Sequence, residues 1–146
     1  IANRGYFVTP HVVKKVEGEA LDSLYTQRRY TKVDASHYDE VVQGMRAAVT
    51  GGTCRMANLP DIEVCGKTGT AQNHGKDHSA FMGFAPMNDP KIAICVYVEN
   101  AGFGATYGVP IGTLMMEMYL KGEISAEHKD LEQRMINAKT FVYSGT

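Results

Sequence analysis

With 146 residues, 44% of them hydrophobic, the chain has enough apolar material for one domain with a core, which excludes a disordered segment. Fifteen basic against sixteen acidic side chains give a formal net charge of -1, which excludes the basic footprint of a nucleic-acid binder or of a protein held to an anionic membrane surface. No apolar run approaches the roughly 18 residues of a membrane-crossing helix, and Cys54, Cys65 and Cys95 form no CxxC pair.

The opening Ile1-Ala2-Asn3-Arg4-Gly5 has no initiator Met and reads as the end of a helix stopped at Gly5, so an upstream portion is expected. Pro10 interrupts the apolar run that follows. This predicts an irregular extended segment and then a short edge strand over Val12–Val16. Glu19–Asp34 mixes charges and tyrosines without period and reads as a surface connection. Ser36 and Asp39 have capping-box spacing, and Tyr38, Val41, Val42, Met45, Ala48 and Val49 recur at helical intervals up to the stop at Gly51-Gly52. Thr53–Pro60 reads as a loop leading to a short apolar strand pattern, Ile62–Cys65.

His74–His78 reads as a hairpin connection. Strands are expected over Ser79–Ala85 and Lys91–Glu99, joined by a Pro-Met-Asn-Asp-Pro turn. Ile92–Val98 is apolar on both parities, which predicts a central strand covered on both faces, with Cys65 and Cys95 as buried thiols. A glycine-bearing loop leads to a helix near Pro110 whose stripe of Ile111, Leu114, Met115, Met118 and Tyr119 should lie on the sheet, with Gly122 as its stop. Ser125 is a candidate N-cap for a helix over Ala126–Ala138 with Leu131, Met135 and Ile136 inward; Thr140–Thr146 is expected to fray. The fold class is α+β: an antiparallel meander of at least three strands flanked by helices.

The chemistry concentrates at Gly66-Lys67-Thr68-Gly69-Thr70. As the tail of a phosphate-binding loop it lacks the required glycine, since position 61 is Asp, and Gly69, Asn73 and Gly75 discourage the helix that must follow. As a plain surface strand it needs no function at all. As a ligand-binding strand it has Thr68 and Thr70 on one face, where two hydroxyls can donate to one carboxylate. Lys67 adds a charge, but from the opposite face, so it has to reach around the edge. Free backbone groups at a sheet edge could also pair with an extended peptide. His74 and His78, four apart beside this stretch, are candidate substrate-loop residues; two histidines without a third ligand make no metal site, and no cofactor is implied.

Lys67-Thr68-Gly69-Thr70-Ala71-Gln72 resembles the third motif of the penicillin-binding proteins. Ile1–Gly5 with Thr9–Val13, Val49-Thr50-Gly51-Gly52-Thr53, Phe81–Pro86 with Pro90–Ala93, Val98–Asn100 and Gly112–Met115 are similar to class B transpeptidase domains of the penicillin-binding protein 2 type. The resemblance covers residues 1–122 and implies the C-terminal part of a transpeptidase domain of β-lactamase/transpeptidase-like fold, with 123–146 as a polar helix and tail. It implies a serine transpeptidase that crosslinks peptidoglycan stem peptides and is acylated by β-lactams. Lys67 would support proton transfer, Thr68 and Thr70 would contact the substrate carboxylate, the Thr70 N–H would join the oxyanion hole, and Gly69 would keep the strand edge clear.

None of the five serines has Lys three residues on or Asn two residues on, so the family's S-x-x-K and S-x-N elements are not in this sequence and no nucleophile is assigned here. Two readings stay open. One is a piece of a periplasmic transpeptidase whose partners are the stem peptide or a β-lactam and the remainder of its own domain, its membrane anchor lying elsewhere. The other is a non-catalytic β-lactam or peptidoglycan binding or sensor module. Sheet and helix faces left uncovered could also promote self-association.

Overall fold

The computed structural model describes residues 1–139, and the expected fraying of Thr140–Thr146 lies outside them. The chain divides into two compact units, residues 1–41 and residue 42 onward.

In the first unit, residues 2–5 form a turn in which the Arg4 N–H donates to the Ile1 carbonyl at 2.9 Å. Strand β1, Tyr6–Phe7, pairs antiparallel with β2, Arg29–Tyr30. The segment expected to be mere connection therefore contributes a strand. Its ladder is backed by the Arg28 guanidinium, 4.4 Å from the centre of the Tyr6 ring. Val12–Val16 forms no strand. Val16 makes only an isolated bridge to Glu19, and without a ladder partner Val12 is fully exposed.

Helix α1, Ser36–Thr50, starts where expected but is capped differently. The Asp34 carboxylate accepts from the Ser36 N–H at 2.9 Å and from its hydroxyl at 2.7 Å, which holds the Asp34 carboxyl below its ordinary pKa. Asp39 pairs instead with Arg4 Nε at 3.2 Å. Tyr38, Val42, Met45 and Val49 are buried, while Val41 is exposed.

The second unit is built on three antiparallel strands: β3 Cys65–Ala71, β4 His78–Ala85 and β5 Ile92–Val98, in the order β3-β4-β5. The expected meander is present, with three corrections. First, the strand pattern assigned to Ile62–Cys65 starts only at Cys65, because Ile62 is taken up by a bridge to Leu59, and the lysine motif itself is the strand. Second, β4 rather than β5 is central. On β5, Ala93, Cys95 and Tyr97 are exposed, so the both-parity apolar pattern does not correspond to two covered faces, and Cys95 is not a buried thiol.

The third correction concerns helix α2, Gly108–Lys121, which lies against β4 and β5 through a face other than the expected one. Val109, Gly112, Thr113, Met116 and Glu117 are buried; Met115, Met118 and Tyr119 are exposed. Hydrophobicity marked the Met-rich stripe, but close approach decides which side packs. The fully buried Phe81 ring fills a slot where Gly66, Gly83 and Gly112 converge, and a Cβ on Gly112 would come within 2.5 Å of it. Val49, Cys54, Ala57, Leu59, Val64, Val96, Val109 and Met116 complete this core.

The last helix is shorter than expected. A 3-10 turn, Ala126–His128, precedes α3, Lys129–Ile136. Ser125 makes no cap bond through its side chain, and Ile136 points outward at 69% exposure. The Ser125 hydroxyl and His128 are turned instead to the buried carboxylate of Glu117 on α2.

Candidate active site

Alternation along β3 sets the site. Gly66, Thr68 and Thr70 share the face of Phe81, Ser79 and Val96, under α2; Lys67 and Gly69 share the other face with Met82, Cys95 and Tyr97. Burial falls along the strand, from buried Gly66 through half-buried Thr68 to exposed Thr70. The hydroxyls therefore emerge where the helix cover runs out. Among the described residues β3 is paired only with β4, so its other edge is open.

Lys67 starts on the opposite face from the threonines, but its ammonium folds back along the strand and donates to the Thr68 carbonyl at 2.7 Å. The charge is thus held against the backbone of the strand that carries the two hydroxyls. Arg46 of α1 fixes the entry to the strand by donating to the Val64 carbonyl at 2.9 Å and to Asn58 Oδ1 at 3.2 Å.

Several residues that the sequence did not single out complete the site. Thr53, just past the end of α1, has its hydroxyl 2.8 Å from that of Thr68. Cys54 next to it is fully buried; burial raises its pKa, against the opposing effects of hydrogen bonds with Thr53 and Thr68 and of the Lys67 charge. It stays a protonated thiol. Gly104, in the loop before α2, crosses β3 and β4 so closely that a Cβ would lie 2.4 Å from the Ala80 carbonyl oxygen and 2.6 Å from that of Gly69. A hydroxyl following a Gly-Gly helix stop was the one available signal for Thr53.

Ser79 sits opposite Thr70 in the register, yet it cannot be a nucleophile. It is fully buried, donates to the Phe103 carbonyl at 2.8 Å and accepts from the Gly108 N–H at 3.0 Å.

The two histidines separate. His78 belongs to β4, opposite Ala71, and not to the loop; its Nδ1 accepts the Asn100 N–H at 3.0 Å and its ring lies 5.3 Å from that of Tyr97, tilted by 39°. His74 lies in the exposed bend between β3 and β4, its N–H given to Asn73 Oδ1. Among the described residues no three His, Cys, Asp or Glu side chains cluster as a metal site would require. A cavity of about 640 Å³, bordered by Met56, Tyr107, Arg134 and Met135, is lined by no β3 residue.

Residues 1–117 match the family model of the penicillin-binding protein transpeptidase domain. The chain belongs to the penicillin-binding protein transpeptidase family. The peptidoglycan D,D-transpeptidase MrdA of Haemophilus influenzae is 30% identical, over 88% of this chain and 23% of that protein. The penicillin-binding transpeptidase fold is matched by the crystal structure of Pseudomonas aeruginosa PBP2 in complex with WCK 5153, with a TM-score of 0.69, 34% identity, and coverage of 88% of this chain and 29% of that one. Penicillin-binding protein A of M. tuberculosis, as its ceftriaxone acyl-enzyme complex, has a TM-score of 0.68 and 27% identity, over 82% of this chain and 29% of that one. The chain spans about a quarter of the length of the curated relatives it matches. The family match contains α1, the whole β3-β4-β5 sheet and most of α2.

Proposed function

We propose that this chain supplies the substrate-binding strand of a class B, penicillin-binding protein 2 type peptidoglycan D,D-transpeptidase, and that the nucleophilic serine comes from a part of the protein outside residues 1–146. The observation that carries this reading is the edge strand β3, where the Lys67 ammonium donates to the Thr68 carbonyl at 2.7 Å and Thr68 and Thr70 share one face of the strand. In this reading Lys67 assists proton transfer and holds the substrate anion, Thr68 and Thr70 donate to its carboxylate, and the Thr70 N–H contributes to the oxyanion hole. Gly69 leaves the edge open for an extended stem peptide to pair with the strand.

The serines of the chain support a nucleophile from elsewhere. None begins S-x-x-K or S-x-N, Ser79 is spent inside the core, and Ser36 is bound to Asp34. The face carrying Lys67, Met82, Cys95 and Tyr97 is where the remainder of the transpeptidase domain would close the site. His74, exposed at the hairpin, remains available to a substrate peptide; His78 is committed to Asn100. Residues 1–122 act as the C-terminal part of the catalytic domain and 123–146 as an appended tail. No described helix is long and apolar enough to cross a membrane; the protein works at the extracytoplasmic face, anchored through a segment outside this chain.

Fluorescent penicillin tests the reading. The full-length protein should be covalently labelled, residues 1–146 should not, and Lys67→Ala in the full-length protein should slow labelling about a hundredfold with the fold intact. Failure of the full-length protein to label would favour the non-catalytic binding module. Unchanged kinetics of Lys67→Ala would remove Lys67 from the site.

A further inference from the structure

We infer that His78 is a positioning residue: through Asn100 it ties the β3-β4 hairpin to the loop between β5 and α2, and this brace holds the far end of β3 in the shape a ligand meets. The consequence for a ligand rests on the reading of β3 as the substrate strand; the brace itself does not.

β3 needs support where it is most exposed. Its start is buried in the core, but among the described residues it is paired on one side only, and beyond its last pair, Ala71 with His78, the chain turns through exposed residues 72–76. The end of an edge strand with so little apolar cover opens at a small free-energy cost unless something else ties it down.

The loop after β5 supplies the tie, bond by bond along β4. The Gly102 N–H donates to the Asp77 carbonyl at 2.7 Å, the Asn100 N–H to His78 Nδ1 at 3.0 Å, and the Ser79 hydroxyl to the Phe103 carbonyl at 2.8 Å. Gly104 then crosses both strands, so close that a Cβ would lie 2.6 Å from the Gly69 carbonyl oxygen. The Asn100 side chain reaches the other arm of the hairpin, its Oδ1 accepting from Asn73 Nδ2 at 3.0 Å. Asn100 is thus bonded to both arms, to His78 on β4 and to Asn73 just past β3.

His78 is the side chain on which this depends. Asn100 has a φ of 54°, in the left-handed region, which is strained for a residue with a Cβ although Asn adopts it more readily than most. Such a conformation persists only when its surroundings over-determine it. A backbone N–H can only donate, so His78 Nδ1 must be the acceptor that fixes the turn. The ring is itself restrained, half-buried on the sheet face that carries Lys67, with its centre 5.3 Å from that of Tyr97. Leucine at this position would keep apolar bulk and remove the acceptor. Asparagine would put a carbonyl oxygen close to the place of Nδ1.

The test compares His78→Leu and His78→Asn in the full-length protein by amide hydrogen exchange and by the rate of acylation with fluorescent penicillin. His78→Leu should speed exchange over residues 69–73 about two- to fivefold, the size of one partly exposed hydrogen bond, and leave exchange in α1 unchanged. It should slow acylation by a similar factor at saturating penicillin, and His78→Asn should recover most of both losses. Unchanged exchange at residues 69–73, faster exchange in α1 as well, or a His78→Asn variant that behaves like His78→Leu would each overturn the inference. Faster exchange with unaltered acylation would also overturn it, since the brace would then hold the hairpin without positioning the strand. Failure of the underlying reading of β3 looks different: the unmodified protein would not label, while the exchange difference and its rescue by asparagine would persist.

Discussion

The two faces of the β3-β4-β5 sheet are chemically close in sequence and opposite in use. On one face Gly66, Phe81, Gly83 and Val96 are buried beneath α2; on the other, Lys67, Met82, Cys95 and Tyr97 are exposed. Neither face is uniform along its length. Cys65 and Phe84 are buried on the otherwise open face, while Thr68 and Thr70 leave cover on the packed one. Both faces thus run from core to solvent in the same direction along β3. A strand buried at its start is held rigidly by packing; the same strand exposed at its end can present a cation and two hydroxyls without moving.

The largest test of this division is a pair of neighbours. Phe81→Ala should destabilise the protein by about 3 to 5 kcal/mol, since a fully buried ring leaves a cavity ringed by glycines that have no side chains to fill it. Met82→Ala, adjacent in sequence and 52% exposed, should change stability by about 1 kcal/mol or less. Denaturant unfolding of the two variants measures both, and similar losses would mean that the open face is as firmly packed as the covered one.

A smaller effect is expected from the helix side. In Gly112→Ala the added methyl would lie 2.5 Å from Phe81 Cδ1, and the ring is hemmed in by Gly66 and Gly83 below. The helix must lift or the ring must shift, at a cost of about 1 to 3 kcal/mol despite the better helix propensity of alanine. A neutral or stabilising Gly112→Ala would show that α2 sits further from the sheet than the slot requires.

The same slot explains what the sequence could and could not disclose. The meander was legible because each strand had its own apolar run and its own turn, and the lysine motif because its composition is unusual for a strand. The packed side of α2 was not. Met115, Met118 and Tyr119 are the more hydrophobic choice, but Gly112 and Thr113 are the smaller one, and a helix meets a sheet through whichever side lets the backbones approach. The centre of the sheet was misread on the same ground: β5 is the more apolar strand, while β4 carries the glycine and the ring that the helix needs. At the site, Lys67 could be placed by motif, but its reach to the Thr68 carbonyl depends on a side-chain fold that alternation does not contain. The contact of Thr53 with Thr68 was not legible, because the two residues are 15 apart across a loop.

The smallest predicted effect concerns what holds α2 from its far side. Glu117 is completely buried, with His128 Nδ1 2.7 Å from Oε2 and Lys121 Nζ 3.5 Å from Oε1; Lys121 in turn lies 3.6 Å from Asp61. Burial alone would raise the carboxyl's pKa, but hydrogen bonds from His128 and Ser125 and the charges of His128 and Lys121 outweigh it and hold the carboxyl below its ordinary value. The sign follows from proton binding. The unfolded chain takes up a proton at Glu117 more readily than the folded one, so the stabilisation is complete above the ordinary carboxylate pKa of about 4.3. It is lost as pH falls through the lower folded value. Glu117→Gln removes this titration while keeping the shape, so its denaturant midpoint should fall less steeply than the parent's between neutral and acid pH, and the two curves should converge at the acid end. Parallel curves would mean that α3 is docked by its half-buried Leu131 and Met135 and not by charge. In that event the cover on the packed face would be apolar through all its layers, and the contrast with the face that carries Lys67 would be sharper still.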